Sequence, residues 1–176
     1  MARSEVPYAQ HFSAVMRVMT GQGLLLASGA ERPNAMTIGW GTIGSVWGKP
    51  MWIVLVRPSR YTYQLIEKAG DFTVNVPTKE LARACAVCGS SSGRDMDKFK
   101  DCGLTAGKSR RVRAAFIEQC PMHYECKVVH SNDVAPASLA QEIRGSCYGG
   151  GDYHRVYWGE ILGAYAEPHA EKEFGR

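Results

Sequence analysis

The segment Ala35–Ser45, AMTIGWGTIGS, decides the fold because it places strand-forming residues and three glycines on one extended stretch. Side chains alternate between the two faces of a strand. The even positions, from Met36 to Thr42, carry a core-like set, whereas the odd positions, from Thr37 to Ser45, form a nearly smooth face. Glycine weakens a strand interior, and close approach of a ligand or of a second backbone is a common reason to retain it. The pattern therefore predicts either a surface for a flat aromatic ligand or a bulge or barrel corner that needs glycine for its curvature.

Further strand patterns lie on both sides of this segment. Leu24–Ala27 is a short apolar strand, and the turn residues 29–34 that separate it from Ala35 predict a hairpin. Met51–Val56 follows the turn at 48–50, and its continuous apolar run predicts burial on both faces. Later strands are predicted at Phe72–Val76, Tyr124–Val129 and Tyr157–Ala166.

Two helices are predicted between the strands. Apolar residues recur at helical spacing from Tyr61 to Ala69, with Ser59 as the expected N-cap and Gly70 just past the end. The second helix is expected over Thr78–Cys88, with Thr78 as its cap.

A long loop is expected over residues 131–153, with one helical turn near 139–143. Strands outnumber helices in the whole prediction and mostly follow one another in hairpin order. The predicted fold class is therefore mainly β, a closed antiparallel barrel with peripheral α-helices rather than a parallel α/β sheet.

Length and composition bound the class of protein. The chain has 176 residues, of which 45% are hydrophobic and 22% charged, values typical of one globular domain. No uncharged apolar run reaches the roughly 18–20 residues that span a bilayer, and no secretory signal is apparent. We therefore expect a cytoplasmic chain with reduced cysteines and no membrane partner. The net charge of +4 does not require a nucleic acid and suits a small anionic ligand.

An anion site is predicted where a strand ends and a helix starts, at Pro58-Ser-Arg-Tyr-Thr62. The free amides and the positive dipole end of a helix N-terminus attract anions, and this one adds a guanidinium and two hydroxyls. A phosphate is the expected ligand. The alternative is that Ser59 only caps the helix and that Arg60 is only solvated.

A second polar loop, Gly89–Phe99, offers serine and glycine donors that are able to surround a phosphate or a sugar, with Lys98 adding charge. An ordinary flexible connection is the alternative. The loop lacks the order of a P-loop, and no glycine-rich dinucleotide motif follows a predicted strand, so a Rossmann domain has no support.

The cysteine pair Cys85–Cys88 and the segment Cys120–His123 resemble two halves of a zinc site. In an extended segment, however, Cys120 and His123 point to opposite faces, and the cysteine pair falls inside a predicted helix. No metal site is therefore predicted, and a redox disulfide lacks a thioredoxin-like setting.

Two other features remain open at this level. His154 precedes a strand and is either structural or catalytic. The basic run Lys108–Arg113 is either a solvated loop or a contact for an anionic dinucleotide. Hydrolytic activity is not predicted, because the sequence contains no catalytic triad pattern, paired carboxylates or nucleophile elbow.

Several motifs follow one another in a defined order. They are Arg32-Pro-Asn-Ala-Met-Thr37, Trp40-Gly41, Arg57-Pro-Ser-Arg-Tyr-Thr62, Phe72-Thr-Val-Asn-Val-Pro77, Ser92-Gly-Arg-Asp-Met-Asp-Lys-Phe99, Glu125-Cys126, and His154 with Gly159-Glu160. Together they resemble the flavin reductase-like proteins, the flavoredoxins in particular. The resemblance extends from about Leu24 to Ala166.

This resemblance implies an FMN-binding split β-barrel, formed as one domain over residues 1–176, and a homodimer with FMN near the subunit interface. The residues that it implies for the flavin and its ribityl chain are Asn34, Ala35, Met36, Thr37 and Ser45. Those implied for the phosphate are Ser59, Arg60 and Thr62, with Ser92, Gly93 and Lys98 closing the site. His154 occupies the family's histidine position, which implies a catalytic role beside the flavin or a place in the interface.

The implied activity is that of an FMN-dependent oxidoreductase of the NAD(P)H:flavin or ferric reductase type, with NADH or NADPH as electron donor. One alternative is a flavoredoxin-like carrier that holds FMN as a relay between redox proteins. Another is a zinc-stabilised interaction module. Residues 132–153 look longer than in typical relatives, which affects substrate or partner access, and Cys147 in this loop either approaches the cofactor or is a bystander.

Overall fold

A computed structural model describes residues 2–174 of the chain. The strands are β1 (Ser4–Glu5), β2 (Leu24–Ser28), β3 (Asn34–Ile38), β4 (Gly41–Val46), β5 (Lys49–Val56), β6 (Asp71–Val76), β7 (Ala106–Gly107), β8 (Phe116–Ile117), β9 (Met122–Asp133) and β10 (Arg155–Ala166). The helices are α1 (Phe12–Thr20), α2 (Tyr61–Ala69), α3 (Ala82–Ser90), α4 (Lys98–Asp101), α5 (Gln141–Cys147) and α6 (Ala170–Glu173). Short 3₁₀ turns occur at Lys79–Leu81 and Pro136–Ser138.

Eight of these strands form one antiparallel sheet in the order β3-β2-β6-β9-β10-β5-β4, with β1 added to the far end of β10. Strand β10 is central because it pairs with β9 over nearly its whole length and with β5 over Arg155–Glu160. The two ends of the hydrogen-bonded path, β3 and β4, are not paired with each other. The predicted mainly β, antiparallel class is confirmed.

Both faces of β2 are buried, which places this strand between two apolar clusters. Leu24 and Leu26 belong to the larger cluster, with Trp52 and Tyr124, whereas Leu25 and Ala27 pack beneath α3. Burial on both faces explains why β2 lacks the polar alternation of a half-exposed strand. It also places α3 over the end of the sheet where β3 begins.

The expected single strand over Ala35–Ser45 is wrong, because the chain breaks at Gly39–Trp40. Strand β3 pairs with β2, and after the break β4 pairs with β5. The alternation changes phase there, so that Ile43 is buried and Trp40 and Thr42 are exposed. A Cβ on Gly41 would lie 2.6 Å from the carbonyl oxygen of Ile53, so this glycine is required by a close backbone approach. At Gly39–Gly41 the chain therefore forms a corner that needs glycine, which is one of the two structures that the sequence pattern predicted for this segment.

Helix α2 has the predicted bounds, Tyr61–Ala69, and Gly70 ends it in a left-handed conformation with φ of 71°. The expected cap is wrong. Arg60 is the N-cap residue and makes no side-chain cap bond. Ser59 lies one residue earlier, and its hydroxyl donates to Asp152.

The region around the second predicted helix also differs in detail. A 3₁₀ turn at Lys79–Leu81 comes first, α3 continues to Ser90, and the Thr78 side chain makes no cap bond. The hairpin turn predicted at 48–50 lies at Trp47–Gly48, where both residues have positive φ.

The predicted loop over 131–153 is more ordered than expected. Strand β9 continues to Asp133 because β10 supplies a pairing partner, and α5 is longer than the single turn predicted near 139–143. Helix α1 was not predicted. Within residues 2–174, no helix is long and apolar enough to cross a membrane.

Candidate functional site

Two adjoining cavities form a groove where β3, the end of β5 and the start of α2 meet. The first, of about 190 Å³, is the strand cavity, lined by residues 36–40, Leu55, Arg57, Arg60 and His154. The second, of about 160 Å³, is the loop cavity, lined by Asn34, Met36, residues 59–62, residues 88–94 and Lys98. Met36 and Arg60 line both cavities, so they form one continuous surface, called here the β3–α2 groove.

All but two of the predicted site residues line this groove. They are Asn34, Met36, Thr37, Ser59, Arg60, Thr62, Ser92, Gly93, Lys98 and His154. Ala35 lies just beneath it, and its carbonyl oxygen accepts a hydrogen bond from the Lys98 ammonium. Ser45 lies apart, exposed on β4 opposite Pro50, because the break at Gly39–Trp40 directs β4 toward β5.

The loop cavity has a tightly fitted wall. The amide nitrogen of Asn34 donates to the Thr62 hydroxyl at 2.8 Å, and both side chains are buried. Gly93 lies directly against this pair. A Cβ on Gly93 would come within 2.0 Å of Asn34 Oδ1 and 2.8 Å of Tyr61 Cδ1. Only glycine fits at this position without displacing the neighbours.

A buried cation closes the other wall of the loop cavity. Lys98 is only 4% exposed, and its Nζ donates to the carbonyl oxygens of Ala35 at 3.0 Å and Cys88 at 2.8 Å. Desolvation lowers the pKa of this ammonium. An ammonium carries three N–H donors, so one remains for a ligand in the cavity.

The start of α2 is fastened by side chains from three segments. Arg60 Nη1 donates to Gly89 O at 3.3 Å, and Arg94 Nη1 donates to Ser59 O at 3.0 Å. The Ser59 hydroxyl donates to Asp152 Oδ2 at 2.6 Å, and the Ser59 amide donates to Oδ1 of the same carboxylate at 3.4 Å. Donors at the predicted anion site thus already hold a carboxylate.

His154 is held in the strand cavity by two aromatic side chains. Its Nδ1 lies 2.8 Å from the Tyr148 hydroxyl, and its ring centre lies 5.0 Å from that of Trp40. Burial, followed by the nearby Arg57 charge, lowers the pKa of His154 to about 4. The imidazole is therefore neutral near pH 7.

Arg57 fixes the end of the 132–153 segment against β5. Its guanidinium donates to the carbonyl oxygens of Cys147 and Asp152, each at 2.9 Å, and lies 5.2 Å from the Tyr148 ring centre. Cys147 itself lines neither cavity of the groove.

Sequence reasoning missed Arg57, Tyr148 and Asp152 as structural supports of the site. Arg57 is the first residue of the motif Arg57-Pro-Ser-Arg-Tyr-Thr62, so the motif could have indicated its place beside the site. Asp152 and Tyr148 come from a segment whose contacts depend on the tertiary fold.

The residues of the considered zinc site do not converge. Cys85, Cys88 and Cys120 are buried in the apolar cluster beneath α3, whereas His123 stacks between Phe116 and Tyr165. Within residues 2–174, no group of three histidine, cysteine or acidic side chains is arranged to hold a metal ion.

The basic run 108–113 is fixed through its backbone. The amides of Arg110 and Arg111 donate to the buried Glu125 carboxylate, and the amides of Arg113 and Ala114 donate to Asp71. The two acidic groups thus hold the run in place, and its basic side chains stay on the outside.

The fold defines a class of protein, the antiparallel split barrels, and the groove lies at the start of a helix of this fold. Residues 15–174 match the family model of the flavin reductase like domain. The chain belongs to the flavin reductase-like family, as its motifs predicted.

The chain is also similar to individual proteins and solved structures. An uncharacterized protein of Archaeoglobus fulgidus is 36% identical over 115 residues, which is 65% of this chain and 64% of that protein. The chain spans just under two thirds of the length of the curated relatives that it first matches. The structure is similar to flavoredoxin of Desulfovibrio vulgaris, with 26% identity, a TM-score of 0.66, and coverage of 82% of this chain and 69% of that chain.

A structure of the Streptomyces globisporus NADH:FAD oxidoreductase SgcE6 with NAD and FAD fragments is a further similar fold. Its TM-score is 0.62 at 21% identity, and the match covers 84% of this chain and 76% of that chain.

Proposed function

We propose that the chain is an FMN-dependent oxidoreductase of the NAD(P)H:flavin or ferric reductase type. One observation carries the proposal. Residues from four separate segments that the family resemblance implied for FMN, on β3, at the start of α2, in the 89–98 loop and at His154, line a single groove.

The chemistry of the groove fits the two ends of FMN. Hydroxyls, the Arg60 guanidinium and the spare Lys98 donor suit a phosphate and a ribityl chain at the loop cavity. The strand cavity, with Gly39 and Trp40 on its wall, presents backbone and an aromatic surface that suit a planar ring. The close approach of Gly93 to Asn34 and Tyr61 fixes the wall of the loop cavity against which this ligand would bind.

Bound FMN would supply the hydride and electron transfer chemistry. The chain's own residues bind and orient it. Lys98 and Arg60 would offset the phosphate charge, and Met36 and Thr37, which line the strand cavity, would hold the ring. His154, proposed as the catalytic residue, is neutral at pH 7, so it acts there by orientation or hydrogen bonding rather than as a cationic acid.

A second candidate function is a flavoredoxin-like electron carrier without nicotinamide activity. It is favoured by the 26% identity to the flavoredoxin of Desulfovibrio vulgaris. A zinc-stabilised module has no such support, given the separation of His123 from the cysteine cluster. The cytoplasmic location and the extent of the domain stay predictions from the sequence.

We also propose a homodimer with FMN near the subunit interface. The proposal rests on the family resemblance and on an exposed aromatic patch that contains Trp47, which is 63% exposed.

Absorbance and rapid-mixing measurements test the function. Purified chain mixed with FMN should show bound-flavin bands, and these should bleach on anaerobic mixing with NADH or NADPH. Reduction by a ferredoxin-like protein, but by neither nicotinamide, would favour the carrier. Absence of FMN binding would refute both candidates.

A further inference from the structure

A third cavity, of about 250 Å³, lies beside α2 and adjoins the β3–α2 groove. It is called here the α2 side cavity and is lined by the 29–32 turn, by one stripe of α2 and by Arg113. Tyr61 lines both this cavity and the loop cavity. A single side chain therefore separates the new cavity from the proposed phosphate end of the flavin site.

The floor of the α2 side cavity is apolar and closely built. Leu65 and Ala69 come from α2, and Tyr61 adds an aromatic ring. Gly29 closes the turn with φ of 96°, and a Cβ there would lie 2.8 Å from Arg32 O and 3.5 Å from Leu65 Cδ1. Such a floor suits a ring system rather than a bare ion.

The rim of the cavity carries an excess of positive charge. Arg32, Lys68 and Arg113 lie at the rim with one acidic residue, Glu31, and Arg113 is paired with Asp71 at 3.7 Å, which leaves Arg32 and Lys68 as the excess. Arg113 is fixed by a 2.6 Å hydrogen bond from its Nη2 to Ala69 O. Within residues 2–174, the side chains of Arg32 and Lys68 make no hydrogen bond or ion pair with other residues. Two cations are thus free to bind an anionic group above the apolar floor.

We infer that the α2 side cavity binds the adenosine phosphate end of a dinucleotide whose other end occupies the β3–α2 groove. The inference rests on the proposed function. A chain of phosphates that continues beyond the loop cavity meets Tyr61 first, and beyond it the free Arg32 and Lys68. FMN ends at its one phosphate, so only a dinucleotide reaches this cavity. Both a flavin dinucleotide and a nicotinamide dinucleotide carry the required adenosine phosphate.

Calorimetric titration of the FMN-loaded protein with 5′-AMP tests the cavity itself. Wild type should bind AMP, and the double variant Arg32→Ala/Lys68→Ala should bind it at least fivefold more weakly. The control, Lys79→Ala/Arg83→Ala, removes the same charges from exposed positions outside the three cavities and should match wild type. Absence of AMP binding, or equal binding of AMP and inorganic phosphate, would overturn the inference.

Two further measurements assign the source of the adenosine phosphate. If it belongs to the flavin, wild type binds FAD at least fivefold more tightly than FMN, and the double variant binds the two equally. If it belongs to the nicotinamide donor, the KM for NADH or NADPH rises in the double variant while the FAD to FMN ratio stays constant. The assignment is contradicted if the double variant alters neither the FAD to FMN affinity ratio nor the KM for NADH or NADPH. It is also contradicted if the double variant alters only the reduction by an acidic protein donor.

Failure of the inference is distinguishable from failure of the proposed function. A wild-type chain that does not bind FMN refutes the function. A chain that binds FMN but not AMP refutes only the assignment of the α2 side cavity.

Discussion

His154 shows how one buried residue links the fold to pH. Its folded pKa is about 4 against an ordinary value of 6.5, so between these values the unfolded chain binds a proton that the folded chain does not. The free energy of unfolding should therefore fall as pH drops from 6.5 to 4, with at most about 3 kcal/mol due to this group. In His154→Asn this part of the slope should disappear in urea melts at pH 7, 5.5 and 4.5.

The matched control for this measurement is His169→Asn. His169 is exposed with φ of 62°, a conformation that asparagine tolerates, so this variant shows the effect of replacing a histidine outside the groove. An equal slope in wild type and His154→Asn would contradict the assigned protonation of His154.

Lys98 is the residue on which phosphate binding should depend most. Lys98→Met keeps the length of the side chain but leaves the carbonyl oxygens of Ala35 and Cys88 without their donor, which should reduce stability by about 1–3 kcal/mol. The Kd for FMN should rise at least tenfold, whereas the Kd for riboflavin, which lacks the phosphate, should change less than twofold. Flavin fluorescence quenching measures both constants.

Lys100→Met is the control for the Lys98 variant, because Lys100 lies exposed on the same short helix α4. Its FMN affinity should equal that of wild type. An equal loss of FMN and riboflavin affinity in Lys98→Met would show that Lys98 supports packing rather than the phosphate.

At the scale of elements, local signals predicted α2 and failed for β3 and β4. The apolar stripe from Tyr61 to Ala69 and the glycine that ends it are properties of nearby residues, and the bounds were correct. The break at Gly39–Trp40 depends on the tertiary fold, because the β2–β3 and β4–β5 hairpins lie at opposite ends of the sheet path and the chain must cross between them. The sequence pattern looks like one continuous strand and does not reveal that the alternation of buried and exposed residues changes at the break. Ser45 was therefore assigned to the groove, although it lies beyond the break on β4.

The same distinction separates the predicted from the missed parts of the site. Asn34 and Lys98 belong to motifs whose order along the chain indicated the family, and the family resemblance implied them as site residues. The contact between Ser59 and Asp152 joins residues that the sequence separates widely, and only the fold brings them together.

That contact makes a prediction about the 132–153 segment as an element. The Asp152 carboxylate accepts from the Ser59 hydroxyl and amide, the donors proposed to hold the FMN phosphate, so the two anions compete for the start of α2. Asp152→Asn should therefore tighten FMN binding about threefold to tenfold and leave riboflavin affinity unchanged. The φ of 54° at Asp152 suits asparagine, so the loop should keep its shape.

Glu142→Gln, at an exposed position on α5 that lines neither cavity of the groove, removes the same charge from the same segment and serves as the control. Weaker FMN binding in Asp152→Asn would mean instead that the carboxylate positions Ser59 for the phosphate.

At the scale of the whole molecule, the exposed aromatic patch bears on the proposed homodimer. Trp47 lies at the β4–β5 turn, 5.6 Å from the Trp158 ring centre and 6.0 Å from that of His130, with the exposed Val129 on the same strand as His130. Large aromatic side chains of this kind are enriched where subunits meet. The patch spans three elements, β9, β10 and the hairpin, so it forms a continuous face rather than an isolated side chain.

Trp47→Asn tests this face without weakening the fold. Trp47 and Gly48 both have positive φ, and Asn-Gly is the preferred pair for such a two-residue hairpin turn, so the variant should fold at least as well as wild type. In light scattering after gel filtration, wild type should appear at twice the 19.3 kDa chain mass and the variant at the mass of one chain. Phe12→Ser, which removes an exposed aromatic residue from α1, should remain a dimer. If Trp47→Asn is still a dimer, the subunit interface lies elsewhere on the chain. A large aromatic side chain at the centre of an interface contributes much of its binding energy, so its removal should dissociate the subunits.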